Sequence, residues 1–290
     1  MAADGWRRRL RSALTAGSRG GRPARRLAFL HLPRTGGTAV QHHLESIVGG
    51  NDVLRIRLPP DFLERLDEVR SSPIVLGHFF YPGVRLMPDA LVATVVREPV
   101  ERSISVWEYL QWQTQHPDHK TLAERGVRSL DDFVEDEVLS GHVRENQTRL
   151  LGVEYDLEGI VDAIEAGDID VSEAQRRAAE AEAAPADAAM LERAKRRLEA
   201  MALVGVTEEL PAFTRRLELA LHLPAGRALE TDNATPREMA LRRGAAYDEA
   251  ARQRLAKLNR LDAELYSFAK DLWEARHLVG SASATLPYDV

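Results

Sequence analysis

The sequence contains no cysteine, which excludes disulfides, thiolate metal sites and a cysteine nucleophile and fits a reducing compartment. No window approaches the roughly 18 uninterrupted apolar residues that a membrane-spanning helix needs. An excess of basic charge is also missing: the formal net charge is -6, which argues against general affinity for nucleic acid. The Gly-Lys-Ser/Thr ending of a Walker A loop is absent, and Val95-Val96-Arg97 supplies arginine where a Walker B site needs an acid; both disfavour a P-loop kinase. The arginines of Trp6-Arg7-Arg8-Arg9 are followed by no apolar stretch within reach. Residues 1–25 therefore read as a disordered basic arm rather than an export signal, with contact to anionic lipid as the minor alternative.

What remains is an ordinary globular composition, long enough for a well-buried core. The organising stretch is Arg26-Leu27-Ala28-Phe29-Leu30-His31-Leu32-Pro33-Arg34-Thr35-Gly36-Gly37-Thr38. A short apolar run breaks at proline, passes two glycines and meets a helix over Ala39 to Val48 that ends at Gly49-Gly50. Strand, tight loop and helix N-terminus bring unpaired amides and the positive end of the helix dipole to one point, where an anion is favoured.

The same alternation continues. Val53 to Leu58 reads as a half-exposed strand, Asp61 to Val69 as a helix with one apolar face, and Pro73-Ile74-Val75-Leu76-Gly77-His78 as a buried strand. Leu91 to Val96 is β-branched and continuous, and Pro99 opens the helix that runs through Trp107 and Leu110. Such an order predicts an α/β fold, a parallel sheet flanked by helices, with ligands beyond the carboxyl ends of the strands. Three of those ends carry chemistry: the Pro33 to Thr38 loop, Gly77-His78, and Arg97 with the helix after it. The rest is mainly helical. Ser129 caps Leu130 to Leu139, and Asn146 to Leu151 forms a short helix. Residues 156–201 read as a helical insertion whose Ala178 to Ala189 part is nearly low-complexity and exposed or flexible. Ala202 to Val206 returns as a late strand before a helix over Leu210 to Leu221. A long amphipathic helix spans about Tyr247 to Arg276, so one domain covers 26–278 and residues 279–290 form a flexible tail.

Arg34 at the loop entrance and the hydroxyls of Thr35 and Thr38 supplement the amides of Gly36 and Gly37 as anion donors; the competing reading is an ordinary tight turn with a surface arginine. Arg97 at a strand exit suits a second phosphate, and the alternative is a salt bridge with Glu98 or Glu101. Helical spacing puts Arg102 and Ser105 on one side and leaves open which faces inward. His78, at a strand end beside the loop, suits a general base, against the alternative of a backbone-bonded histidine. His31 reads as a packing residue. His42, His43, His116, His119 and His142 show no metal-ligand spacing and fall to helix surfaces; no metal site is expected. Tyr81, Trp107, Tyr109 and Trp112 offer aromatic surface to an acceptor or, more simply, a helix face for packing.

His31 to Thr38 resembles the 5′-phosphosulfate-binding loop of sulfotransferases, most closely the carbohydrate group related to heparan sulfate 2-O-sulfotransferase and its bacterial relatives. Arg97-Glu98-Pro99-Val100-Glu101-Arg102 with Ser105 is similar to that family's 3′-phosphate motif, Gly77-His78-Phe79 to its strand-end Gly-His, and Asn146-Gln147-Thr148-Arg149 to a later segment. Weaker likeness covers Ala202 to Glu208 and Asp232 to Arg237. The resemblance implies a P-loop-like core and the co-substrate 3′-phosphoadenosine 5′-phosphosulfate (PAPS), with no metal required. Arg34, Thr35, Gly36, Gly37 and Thr38 would hold the 5′-phosphosulfate, Arg97 and Ser105 the 3′-phosphate, and Arg34 and His78 would act in catalysis. Asn146, Gln147 and Arg149 would orient a substrate, and Thr235 and Arg237 would close over the nucleotide. The acceptor implied is a carbohydrate, with lipid or a small metabolite as alternatives; separately, the lack of an export signal favours a cytoplasmic location, and the basic arm a membrane-peripheral one as the alternative. One departure stands out: the family usually carries lysine where this chain has Arg34, which keeps the charge and changes its geometry.

Overall fold

The computed structural model describes residues 23–226, 247 and 249–280, the side chains of 277–280 excepted. Residues 1–22 of the basic arm, 281–290 of the tail, Thr235 and Arg237 lie outside them; of the remainder, Pro23 is buried, Ala24 donates its amide to the Leu221 carbonyl (3.1 Å), and 279–280 belong to the last helix rather than to a tail. Five strands, β1 (Arg26–Leu30), β2 (Val53–Ile56), β3 (Ile74–Gly77), β4 (Ala90–Val96) and β5 (Leu203–Val206), form one parallel sheet in the order β2-β3-β1-β4-β5. Leu30 stands opposite Gly77 on one side and Thr94 on the other. The carboxyl ends of β3, β1 and β4 are therefore neighbours, as the three chemistry-bearing strand ends require.

Apolar, branched residues covered on both faces explain the strands. Phe29, Leu30, Ile74, Val75, Val95 and Val96 have essentially no exposure, and each large side chain so buried contributes about 1.5–3 kcal/mol before entropic costs. Helix α1 (Gly37–Val48) returns from β1 and buries Val40 and Leu44, one turn apart, in the same core. The helix expected over Asp61 to Val69 is two, α2 (Asp61–Glu64) and α3 (Leu66–Ser71), broken at Arg65. Helix α4 (Pro99–Trp112) follows β4 with proline in its first turn. Then come α5 (Pro117–Glu124), α6 (Leu130–Glu135), which opens with a Ser129–Asp132 capping box, and a 3-10 turn at Leu139–His142.

A second core lies here: Trp107 and Leu110 of α4 meet Leu122, Phe133, Leu139 and Val143. The next helices are α7 (Asn146–Gly152), α8 (Leu157–Ala166), α9 (Val171–Glu182) and α10 (Ala188–Ala200). The insertion packs on the main core through residues that flank the alanine-rich stretch, Ala174, Leu191, Ala194 and Leu198. Within that stretch only Ala178 is buried, and the residues from 179 to 189 are exposed or half-buried. Helix α11 (Leu210–Ala220) follows β5. The long C-terminal helix is interrupted at Asn259 into α12 (Glu249–Leu258) and α13 (Arg260–Gly280).

Two helix starts close one another. Asp262 of α13 accepts the amides of Gln147 (3.1 Å) and Thr148 (2.7 Å) at the start of α7. Glu145, just before α7, accepts those of Leu261 (3.0 Å) and Asp262 (2.7 Å). Each carboxylate caps the other's helix and satisfies amides that would otherwise be orphaned. Among the described residues, no helix is long and apolar enough to cross a membrane.

Candidate anion-binding site at the strand ends

The loop after β1 is built to leave its amides open. Gly36 precedes α1 in the left-handed conformation (φ 91°), no side chain caps the helix, and its first turn holds no acid. The amides of Gly37 and Thr38 donate to no acceptor among the described residues. Gly37 cannot carry a side chain, because a Cβ there would fall 1.9 Å from the His31 ring. Thr35 departs from its expected role: its hydroxyl is fully buried and donates to the Leu32 carbonyl at 2.9 Å, so it shapes the turn. Thr207, for which the sequence suggests no role, donates its hydroxyl to the carbonyls of Thr35 (3.0 Å) and Val96 (3.2 Å). Its position just after β5, at the same sheet edge, was the available signal.

Arg34 also sits in the left-handed region, at φ 67°, an uncommon conformation for a residue with a side chain. Its Nε donates to the Ser105 hydroxyl at 3.1 Å and its guanidinium lies 4.6 Å from the centre of the Tyr109 ring. Arg97 Nη1 donates to the Arg34 carbonyl at 3.0 Å. Two motifs far apart in sequence thus meet directly. Ser105 is buried, but a hydroxyl that accepts from Arg34 still has its own proton to donate.

Gln147, fully buried, spends both ends of its amide on the main chain of Arg97, accepting from its N–H (3.0 Å) and donating to its carbonyl (2.9 Å). It positions the strand exit. Arg102 faces inward and is fully buried, donating to the carbonyls of Pro33 (3.4 Å), His142 (3.0 Å) and Val143 (3.3 Å) and to Asn146 Oδ1 (3.3 Å). Burial lowers its pKa to about 10, Asp262 opposing and Arg97 adding to the shift, so it stays charged at neutral pH and ties the glycine loop to the turn before α7. Arg149 is turned away, onto the carbonyls of Gly141 and Glu182. Of the four aromatics, Trp107 is buried against Phe133 and Tyr81 lies beneath Arg197, which leaves Tyr109 and Trp112 on the loop side.

His78 follows β3, where Gly77 (φ 153°) lets the chain pass the Ile56 carbonyl; a Cβ there would fall 2.0 Å from it. The His78 Nδ1 lies 2.7 Å from the His31 carbonyl. A carbonyl only accepts, so Nδ1 carries the hydrogen and Nε2 keeps its lone pair. Burial lowers the His78 pKa; the His31 carbonyl opposes this and His116 adds to it. The His31 ring, 4.5 Å from that of His78, is held well below the usual range by burial, with His78 and Arg34 reinforcing. Burial thus favours the neutral His78 ring, which keeps its Nε2 lone pair free of the His31 carbonyl, at the strand end next to that of the glycine loop. Two concavities elsewhere, one walled by Phe62 and Glu182 and the other by Arg85 and Arg193, include no residue of the glycine loop. The sequence matches no protein-family model and no curated protein.

Proposed function

We propose that this protein is a sulfotransferase that moves a sulfuryl group from PAPS to an acceptor hydroxyl. The observation that carries this reading is the direct contact of two anion-binding motifs, Arg34 to Ser105 and Arg97 to the Arg34 carbonyl. A donor phosphorylated at two places on one nucleoside matches two adjacent anion sites better than a linear triphosphate does. The amides of Gly36, Gly37 and Thr38 hold the 5′-phosphosulfate, and Arg97 with the Ser105 hydroxyl holds the 3′-phosphate. His78 Nε2 takes the proton of the acceptor hydroxyl as its oxygen bonds to sulfur. The sulfur–oxygen bond to the 5′-phosphate breaks, and the electron pair stays on that phosphate oxygen, where Arg34 and the helix dipole offset the charge. A sulfonate carries less charge than a phosphoryl group, so these donors suffice for binding. The nearest resemblance favours a carbohydrate acceptor.

Donor binding without turnover is the second reading, favoured by the placement of Arg34 on Ser105 and Tyr109. Calorimetry with adenosine 3′,5′-bisphosphate beside ATP with magnesium tests the first. Preference for the bisphosphate is expected; preference for ATP, or no binding of the bisphosphate, overturns it. Release of bisphosphate from PAPS, absent in a His78→Ala variant that still binds it, separates turnover from binding alone.

A further inference from the structure

A second imidazole beside the loop has its tautomer set by the backbone. His116 is the N-cap of α5, and its Nδ1 accepts the Asp118 amide at 3.2 Å. The amide donates, so Nδ1 holds a lone pair and the hydrogen of the neutral ring sits on Nε2. Asp118 Oδ2 is 3.6 Å from that Nδ1, too long for a hydrogen bond, and accepts instead from His142 Nε2 at 2.8 Å. The His116 ring stands edge-on to Tyr109 (5.7 Å) and to His142 (6.4 Å), and Tyr109 carries Arg34. Arg102 fixes the arrangement to the loop, because one guanidinium bonds both the His142 and the Pro33 carbonyls. Burial lowers the His116 pKa, Asp118 opposing and His142 adding to the shift, and His116 in turn lowers that of His78. His116 and His78 are therefore neutral neighbours of opposite polarity, one an Nε2–H donor and the other an Nε2 acceptor.

We propose that His116 is a further catalytic residue, whose Nε2–H donates to an oxygen of the transferred sulfonate, with Asp118 and His142 as positioning residues that hold its ring. This rests on the sulfuryl-transfer reading above. A neutral donor suits the sulfonate, because it stabilises charge there without surrendering a proton to it.

The test compares the intact protein with His116→Phe and His116→Gln, using PAPS and adenosine 3′,5′-bisphosphate as separate probes. Glutamine keeps a donor nitrogen near the Nε2 position, whereas phenylalanine keeps only the shape. His116→Phe is expected to lose about tenfold or more in affinity for PAPS, the range for a hydrogen bond to a charged group. Bisphosphate affinity, which also reports correct folding, stays unchanged, and His116→Gln recovers most of the loss. Nitrogen–proton correlation of the His116 ring at pH 7 is expected to place the hydrogen on Nε2. An unchanged ratio of PAPS to bisphosphate affinity in His116→Phe, or a hydrogen on Nδ1, overturns the inference alone. Failure of the unsubstituted protein to bind the bisphosphate overturns the reading beneath it.

Discussion

Helices α1 and α4 leave neighbouring strands of one sheet, β1 and β4, at the same edge, yet their first turns are finished in opposite ways. At α4, Glu98 folds its carboxylate onto the amides of Val100 (3.1 Å) and Glu101 (2.7 Å), and Glu101 adds an acid to the first turn. At α1 a left-handed glycine stands in the cap position with no side-chain bond and no acid. One helix start is closed by the protein's own anion and the other is left for an anion from outside. On the proposed sulfotransferase reading, an anion beside β1 would be held by main-chain amides, while an anion beside β4 would have to be held by the Arg97 and Ser105 side chains. The distinction sets what each substitution does.

The largest effect is expected from filling the open start. Gly37→Ala drives a Cβ into the His31 ring, and overpacking of that kind costs about 1–3 kcal/mol. Denaturant unfolding should show that loss together with collapse of bisphosphate binding, whereas Gly50→Ala, which meets nothing within 4 Å, should leave both unchanged. A Gly37→Ala variant as stable as the parent would break the contrast. Next in size, Arg97→Ala should weaken adenosine 3′,5′-bisphosphate by about ten- to hundredfold, the cost of one charged hydrogen-bonding partner, and a 5′-monophosphate much less. Equal losses would remove the 3′-phosphate from the β4 side. Smaller still, Glu98→Ala should cost about 1 kcal/mol of stability, as loss of a cap does, with nucleotide affinity nearly intact. Acid sharpens the difference last. His31 and His78 are kept neutral in the folded protein, so the unfolded chain binds more protons below the ordinary histidine range. Stability contributed by these rings is whole above about pH 6.5 and falls as the pH drops from there toward the lowered folded values. His78→Asn should flatten that acid limb in denaturant titrations; an unchanged limb would place its origin elsewhere.

Much of this edge was legible before any coordinates. Branched apolar runs alternating with helical periodicity specify strands β1, β3 and β4 and the helices between them, and parallel order then forces their ends together. Periodicity is blind to other features. The apolar stripe of the last helix continues on both sides of Asn259, whose buried side chain donates to the Leu255 carbonyl (2.9 Å) and accepts the Glu145 amide (3.2 Å); only tertiary partners mark that break. Arg65 divides an amphipathic stretch for which the sequence offers no glycine or proline. His116, Asp118 and His142 lie on a helix start and a 3-10 turn that the buried Arg102 draws to the loop, so spacing along the chain could not assemble them. Arg102 shares a helix side with Ser105, and both are buried; their partners, the carbonyls of distant turns for Arg102 and the Arg34 guanidinium for Ser105, are what helical spacing could not supply.

The exchanged caps of Glu145 and Asp262 carry a consequence for the order in which the protein becomes competent. Gln147, which clamps the Arg97 main chain, has its own amide held by Asp262. During synthesis the sheet and the glycine loop emerge long before Asp262 does. On the proposed reading, the β4 half of the anion site therefore waits on α13, the last of the described helices, and a product truncated before Asp262 would keep every strand and still lack the support of the Gln147 clamp on Arg97.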